Sequence, residues 1–207
     1  MSMRIGLIYH SFPPQKTMTG VATYALELAR GLGGAGHEVH VIAEPAAGQE
    51  LSLPGVTVHR LAPSFAAGPA NTVLRKAWGR IAAPLLHRAD PSLVAMMRWA
   101  MSVRDVIAPL DLDVAEGPDF VGGGLAATQL NIPLVVRMHC PWVIFARSNR
   151  IGPRLVDRAV DWLERWVTAR AEVVTCPSRA MARVLRGWKT RHEPLVIPNF
   201  IEVPQAP

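Results

Sequence analysis

Residues 4–43 read RIGLIYHSFPPQKTMTGVATYALELARGLGGAGHEVHVIA, and this stretch decides the fold. Arg4–Tyr9 is a short apolar run rich in Ile and Leu, which predicts a strand. The loop His10–Thr19, with Pro13-Pro14, separates it from a helix opened by Gly20. In that helix Val21, Tyr24, Ala25, Leu28 and Leu32 recur at helical spacing, and Gly33, Gly34 and Gly36 end it. Val39–Ala43 is a second apolar run. Parallel neighbours need a crossover between them, and a helix of this length supplies one.

The alternation continues outward. Val56–Leu61, Asp113–Glu116, Leu134–Met138, Glu172–Cys176 and Leu195–Ile197 read as strands. Residues 71–108 read as two helices broken near Asp90-Pro91. Gly122-Gly123-Gly124 leads into a short helix ending near Asn131, and longer ones span Pro153–Arg170 and Ser178–Arg186. Several strands are apolar on both faces. The expected fold is therefore α/β, a Rossmann-like parallel sheet with helices on both faces. Ligands of such sheets bind at the carboxyl ends of the strands, so the loops after Tyr9, Glu116, Met138 and Cys176 are where a site is expected.

Composition narrows the function classes. Of 207 residues, 50% are hydrophobic and 18% charged, a balance suited to a folded core. No apolar run reaches the roughly 18 residues of a membrane span, and the first residues lack a signal-peptide pattern, which points to the cytoplasm. Cys140 and Cys176 are too few for a disulfide scaffold or a thiolate metal site, so both are expected to be reduced, near strand ends. The net charge is +6, yet no zinc-finger spacing, aromatic RNA-binding run or long basic stretch appears. Nucleic acid is thus a poor partner, and lipid or phosphate a better one.

Three patterns mislead. Gly31, Gly33 and Gly36 match a dinucleotide fingerprint, but they close a helix and precede a strand, the reverse of what pyrophosphate binding needs. Asp111-Leu112-Asp113 resembles a metal-binding D-x-D, but the aspartates enter a strand at its amino end. His139 and Cys140 are neighbours on an extended segment, so they point to opposite sides and cannot pair as base and nucleophile. The loop before Gly20 is more informative: it ends at a helix N-terminus, an anion site in waiting, and loops this long are usually functional.

The runs RIGLIYHSFPP and TGVATYALELARGLGGAGHEVHVIA are followed in order by DVAEGPDFVGGGLAA, IPLVVRMHCPW, AEVVTCPSRAMARVL and VIPNFIE. Together they resemble the N-terminal half of family 4 glycosyltransferases of the GT-B fold, most weakly over residues 45–110. The resemblance implies one acceptor-side domain over residues 1–198 and a hinge or linker stub over 199–207, with the C-terminal donor-binding half absent from the chain. In that family two adjacent glycines before the first helix let the backbone approach donor phosphates or acceptor. Here the pair is Thr19-Gly20, so Gly20 carries over, while Thr19 adds a side chain that narrows the site or caps the helix. The family's histidine after the fifth strand, which approaches the transferred sugar, falls on His139. Glu116 and Asp119 are implied acceptor contacts, though a solvated loop accounts for them as well. Ser178 matches a helix-opening serine and Asn199 the hinge asparagine.

The implied reaction moves a sugar from a UDP- or GDP-linked donor to an acceptor with retention of configuration, without a cofactor or catalytic metal. The isolated chain is expected to be incompetent. A non-catalytic acceptor- or partner-binding subunit of a split enzyme, and a sugar-nucleotide epimerase of similar architecture, stay open beside it.

Arg75, Lys76, Arg80 and Arg88 punctuate Val73, Leu74, Trp78, Ile81, Leu85 and Leu86. This mixture suits a peripheral face on an anionic membrane. A helix packed on the sheet with a solvated basic side explains the same residues, and Pro84 breaks any continuous stripe. The two readings part in a flotation assay. A membrane face predicts capture by phosphatidylglycerol liposomes, release by salt, and loss of capture when Arg75, Lys76 and Arg80 are changed to Glu. Equal partitioning of wild type and triple mutant identifies the packed helix.

Overall fold

The computed structural model describes residues 1–14, 19–61, 91–120, 123–152 and 155–200. The expected helix over 71–90, with Arg75, Lys76, Arg80 and Arg88, lies outside them, as do Gly122, Pro153 and most of the expected linker.

Seven parallel strands form one sheet in the order β3-β2-β1-β4-β5-β6-β7. They are β1 (Arg4–Ile8), β2 (Glu38–Ala43), β3 (Val56–Arg60), β4 (Val114–Pro118), β5 (Leu134–Arg137), β6 (Val173–Cys176) and β7 (Leu195–Val196). The described helices are α1 (Gly20–Gly34), α2 (Pro91–Ile107), α3 (Leu125–Gln129), α4 (Trp142–Ser148), α5 (Leu155–Thr168) and α6 (Arg179–Leu185). The strands stand where the apolar runs placed them. α4 is an addition that the sequence did not announce: its seven residues are too few to show a period.

Side-chain alternation divides the core in two. Ile5, Leu7 and Tyr9 of β1 pack with Val39, Val41 and Ala43 of β2 against α1. Ile8 and Ile42 point the other way, into a second cluster with Ala115, Leu134, Val136, Met138, Val174 and Cys176 under α2, α3, α5 and α6. Both faces of the central strands are thereby removed from water, which is why these strands read as apolar runs rather than alternating ones.

The buried stripe of α1 differs from the expected one by a residue. Ala22, Ala25, Ala29 and Gly33 are buried, together with Tyr24, whereas Val21, Leu28 and Leu32 pack at the margin. Small residues let the helix lie close to the sheet. A Cβ on Gly33 would stand 2.2 Å from the Pro54 carbonyl oxygen, so this glycine is a packing requirement, and Gly36 takes φ +88 just beyond the helix. The misleading glycine pattern is thus a helix end, as its position in the sequence required. At the other end the Thr19 hydroxyl accepts from Ala22 N at 3.1 Å, so Thr19 caps the helix, an interaction typically worth about 1 kcal/mol.

Asp111 and Asp113 bind the amino end of β1. Arg4 N donates to Asp113 Oδ2 at 2.7 Å, and the Arg4 guanidinium pairs with Asp111. They are strand-start residues, far from the carboxyl edge. Cys140 and Cys176 are both free thiols. No helix among the described residues is long and apolar enough to cross a membrane.

The three glycines of the last turn of α1 separate packing from propensity. Gly33→Val is expected to cost about 1–3 kcal/mol by overpacking against Pro54. Gly31→Ala and Gly34→Ala, whose Cβ atoms meet nothing within 4 Å, should leave stability unchanged or raise it by up to about 1 kcal/mol. Urea midpoints of the three variants check the contrast.

Candidate functional site

The strand order reverses between β1 and β4, and the crevice outside their carboxyl ends is the ligand position of such sheets. The period of two decides what enters it. On β4 Ala115 faces the α2 side, so Glu116 faces the α1 side; on β5 Leu134, Val136 and Met138 face the α2 side, so Arg137 and then His139 face the α1 side. β1 delivers Tyr9 and α1 delivers Tyr24 to the same place.

These residues form one network. Tyr9 Oη donates to Glu116 Oε1 at 2.7 Å, and Tyr24 Oη donates to the same oxygen at 3.1 Å. Burial pushes the Glu116 carboxyl up, against the two tyrosine bonds and the nearby Arg137 charge, which pull it down. Burial, with Glu116 close by, raises both phenols well above their ordinary value, so they remain donors. The Arg137 side chain is 1% exposed. Its guanidinium carbon lies 4.7 Å from the Tyr24 ring centre and its Nη2 donates to Asn199 Oδ1 at 2.5 Å.

His139 stands edge-on to Tyr24, with ring centres 5.1 Å apart, and is 6.2 Å from Tyr9. Its Nε2 is buried with no hydrogen-bond partner among the described residues. Burial first, and the Arg137 charge second, lower its pKa to about 4. The imidazole is therefore neutral near pH 7, and can donate or accept one hydrogen bond in the crevice.

Asp119 does not lie in a solvated loop. It is 3% exposed, and its Oδ1 accepts from His139 N at 3.0 Å. Its task is to hold the turn that presents His139, although Oδ2 is buried and unpaired. Glu164 of α5 lies beneath: both carboxyl oxygens accept from Trp142 N, at 3.2 and 3.1 Å, and so fasten the start of α4. Trp142 Nε1 also donates to Asp157 at 2.7 Å. Burial, reinforced by each other's charge for Glu164, lifts Asp119 to about 7 and Glu164 to about 8.

Gly20 begins α1, and a Cβ there would meet nothing within 4 Å. Packing among the described residues does not require glycine at this position. Among the described residues no group of three or more His, Cys, Asp and Glu can hold a metal ion.

The profile of Glycosyltransferase Family 4 matches residues 18–204. The chain belongs to this family. Its structural neighbours are GT-B glycosyltransferases. Sucrose-phosphate synthase from Thermosynechococcus elongatus superposes with a TM-score of 0.63 at 17% identity, over 95% of this chain and 48% of that one. The catalytic domain of starch synthase IV from Arabidopsis thaliana, bound to ADP and acarbose, gives 0.61 at 12% identity over 96% and 52%. UGT2 from Phytolacca americana, complexed with UDP-2fluoro-glucose and pterostilbene, gives 0.57 at 14% over 96% and 54%. Identities this low establish the fold alone, and the chain spans about half the length of each neighbour. No protein of curated function matches the sequence.

In this family 4 chain the fold brings Glu116, Asp119, His139 and Asn199 to one edge of the sheet, while Thr19 and Gly20 start the neighbouring helix. Sequence reasoning missed Tyr9, Tyr24, Arg137 and Glu164. Two of these left a signal: Arg137 is the one charge in an apolar strand, and Glu164 sits on the apolar stripe of α5 between Val160 and Val167. Tyr9 and Tyr24 left none, because their rings belong to the core and only their hydroxyls to the site.

The buried acids set a pH dependence. Asp119 and Glu164 have raised pKa values, so the folded protein holds protons that the unfolded chain releases. Stability should fall as pH rises from the ordinary carboxylate range to about 7 to 8, and level off above it. His139 acts with the opposite sign: its lowered pKa removes stability as pH falls from the ordinary histidine value of 6.5 toward about 4. Denaturation midpoints measured from pH 6.5 to 8 are expected to decline in wild type and to decline much less in Glu164→Gln, which keeps an acceptor for Trp142 N. Parallel curves for the two proteins would show that Glu164 carries no shifted titration.

Proposed function

We propose that this chain is the acceptor-side domain of a retaining glycosyltransferase that transfers a sugar, of hexose type, from a UDP- or GDP-linked donor to an acceptor. The observation that carries the reading is His139. A neutral, partly buried imidazole at the carboxyl end of β5, with an unpaired Nε2 and a backbone amide held by Asp119, is suited to hydrogen-bond a sugar hydroxyl in the crevice. The start of α1 supports the same reading. Its first-turn amides and helix dipole favour an anion, and the open space at Gly20 lets a phosphate or acceptor group come close to the backbone. Glu116, paired with two tyrosines, and Asp119, turned inward, act by fixing this wall; an acceptor reaches Glu116 only at its remaining oxygen.

On this reading the protein's contribution is positioning and hydrogen bonding, without a catalytic metal or cofactor. The donor's nucleotide is held by a second domain of the complete enzyme, and the 207-residue chain alone does not turn over. Docking on an anionic membrane face through Arg75, Lys76 and Arg80 rests on the sequence of that segment.

The test is transfer from a UDP- or GDP-sugar in the complete two-domain enzyme, read as glycosylated acceptor rather than as an altered sugar nucleotide. His139→Ala is expected to lower turnover by roughly 10²-fold or more while the denaturation midpoint barely moves. A variant that loses stability but keeps its specific activity would make His139 a core residue and sink the assignment.

A further inference from the structure

Arg137 is the buried charge that the proposed chemistry leaves without a task. It lies at the end of β5, paired in register with Pro118 on one side and Thr175 on the other. At 1% exposure it must earn its place against a desolvation cost that an apolar residue would avoid. Its contacts reach in three directions. Nη2 donates to Asn199 on the segment leaving β7; the guanidinium carbon lies over the Tyr24 ring of α1; and its charge acts on Glu116 of β4 and on His139, two residues further along its own chain. The segment beyond β7 is otherwise lightly held here: Ile197 N donates to Cys176 O at 2.9 Å, and Phe200, 43% exposed, lies 5.9 Å from the Tyr24 ring.

We propose that Arg137 is a positioning residue that locks Asn199 to the Tyr24–Glu116–His139 cluster, so that the path out of the sheet and the sugar-facing histidine hold one geometry. The planar fork of arginine is what the task requires. Nη2 bonds the Asn199 amide oxygen while the guanidinium carbon lies over the Tyr24 ring, and the shorter-reaching point charge of a lysine does not reproduce this spread of contacts. Tyr24 in turn transmits the constraint, since its hydroxyl is fixed on Glu116 and its ring bounds His139. The inference rests on the reading of His139 as the sugar-facing group.

The groups that face His139 are Tyr9 from β1, Tyr24 from α1, Glu116 and Asp119 from β4 and its loop, and Arg137 from β5. Histidine Hε1 titration by NMR on the whole chain isolates the contribution of Arg137. In Arg137→Gln the His139 titration should move up by about one pH unit, and exchange of the Asn199 side-chain amide should accelerate about tenfold or more. Arg137→Lys should keep the His139 titration near wild type yet still release Asn199. Asn199→Ala, on the exposed segment, cannot disrupt the core, and it should shift both the His139 and Tyr24 ring resonances. In the complete enzyme Asn199→Ala should lower kcat with little change in the donor KM. Ring resonances of His139 and Tyr24 that are unchanged in Asn199→Ala would overturn the lock, as would a His139 titration unmoved in folded Arg137→Gln. If the resonances respond as expected but the complete enzyme transfers no sugar, the lock stands and the glycosyltransferase reading fails.

Discussion

Two opposite charges lie inside the crevice wall, the Glu116 carboxylate and the Arg137 guanidinium, and neither is paired directly with the other. Removing a charge from water costs several kcal/mol unless hydrogen bonds replace the lost solvent. Glu116 meets that requirement through Tyr9 and Tyr24, which joins β1, β4 and α1 at a single oxygen atom. Arg137 meets it in part, through the Tyr24 ring and one bond to Asn199, which adds β5 and the segment after β7, while its Nε stays buried and unpaired among the described residues. Tyr24 serves both charges. The wall's geometry is therefore not adjustable one strand at a time: moving α1 would strip partners from an acid and a base together.

That shared constraint explains the state of His139. The imidazole is enclosed by two tyrosine rings and held by its own backbone amide on Asp119. Desolvation and a neighbouring cation act in the same direction on a histidine, so it stays neutral without any specific partner at Nε2. A neutral ring with one open nitrogen is a hydrogen-bonding group rather than a charge. For the sugar hydroxyl proposed to enter the crevice, that is the more useful form.

Beneath His139 a second layer works by the reverse logic. Asp119 and Glu164 are acids whose burial favours the protonated form, and each has a backbone amide to hold: His139 N for one, Trp142 N for the other. They fix the β5–α4 turn from below while the tyrosines fix His139 from the side. The seven residues of α4 depend on this support, because a helix so short has little stability of its own.

By itself the sequence determined the parallel sheet, its two covered faces and the strand edge that carries the site. Those follow from a side-chain period of two and from apolar runs such as Leu134–Met138, which are local properties of the chain. It could dismiss Gly31, Gly33 and Gly36 as a nucleotide loop from their order relative to helix and strand. Tertiary structure alone decided that Asp119 turns inward, that Glu116 is claimed by the tyrosines Tyr9 and Tyr24, and that Glu164 caps a helix that lies 22 positions before it in the chain. These partners are separated by 20 to 107 positions along the chain. No periodicity reports whether a carboxylate meets water, a tyrosine or a backbone amide; that choice is made only when distant segments are packed against one another.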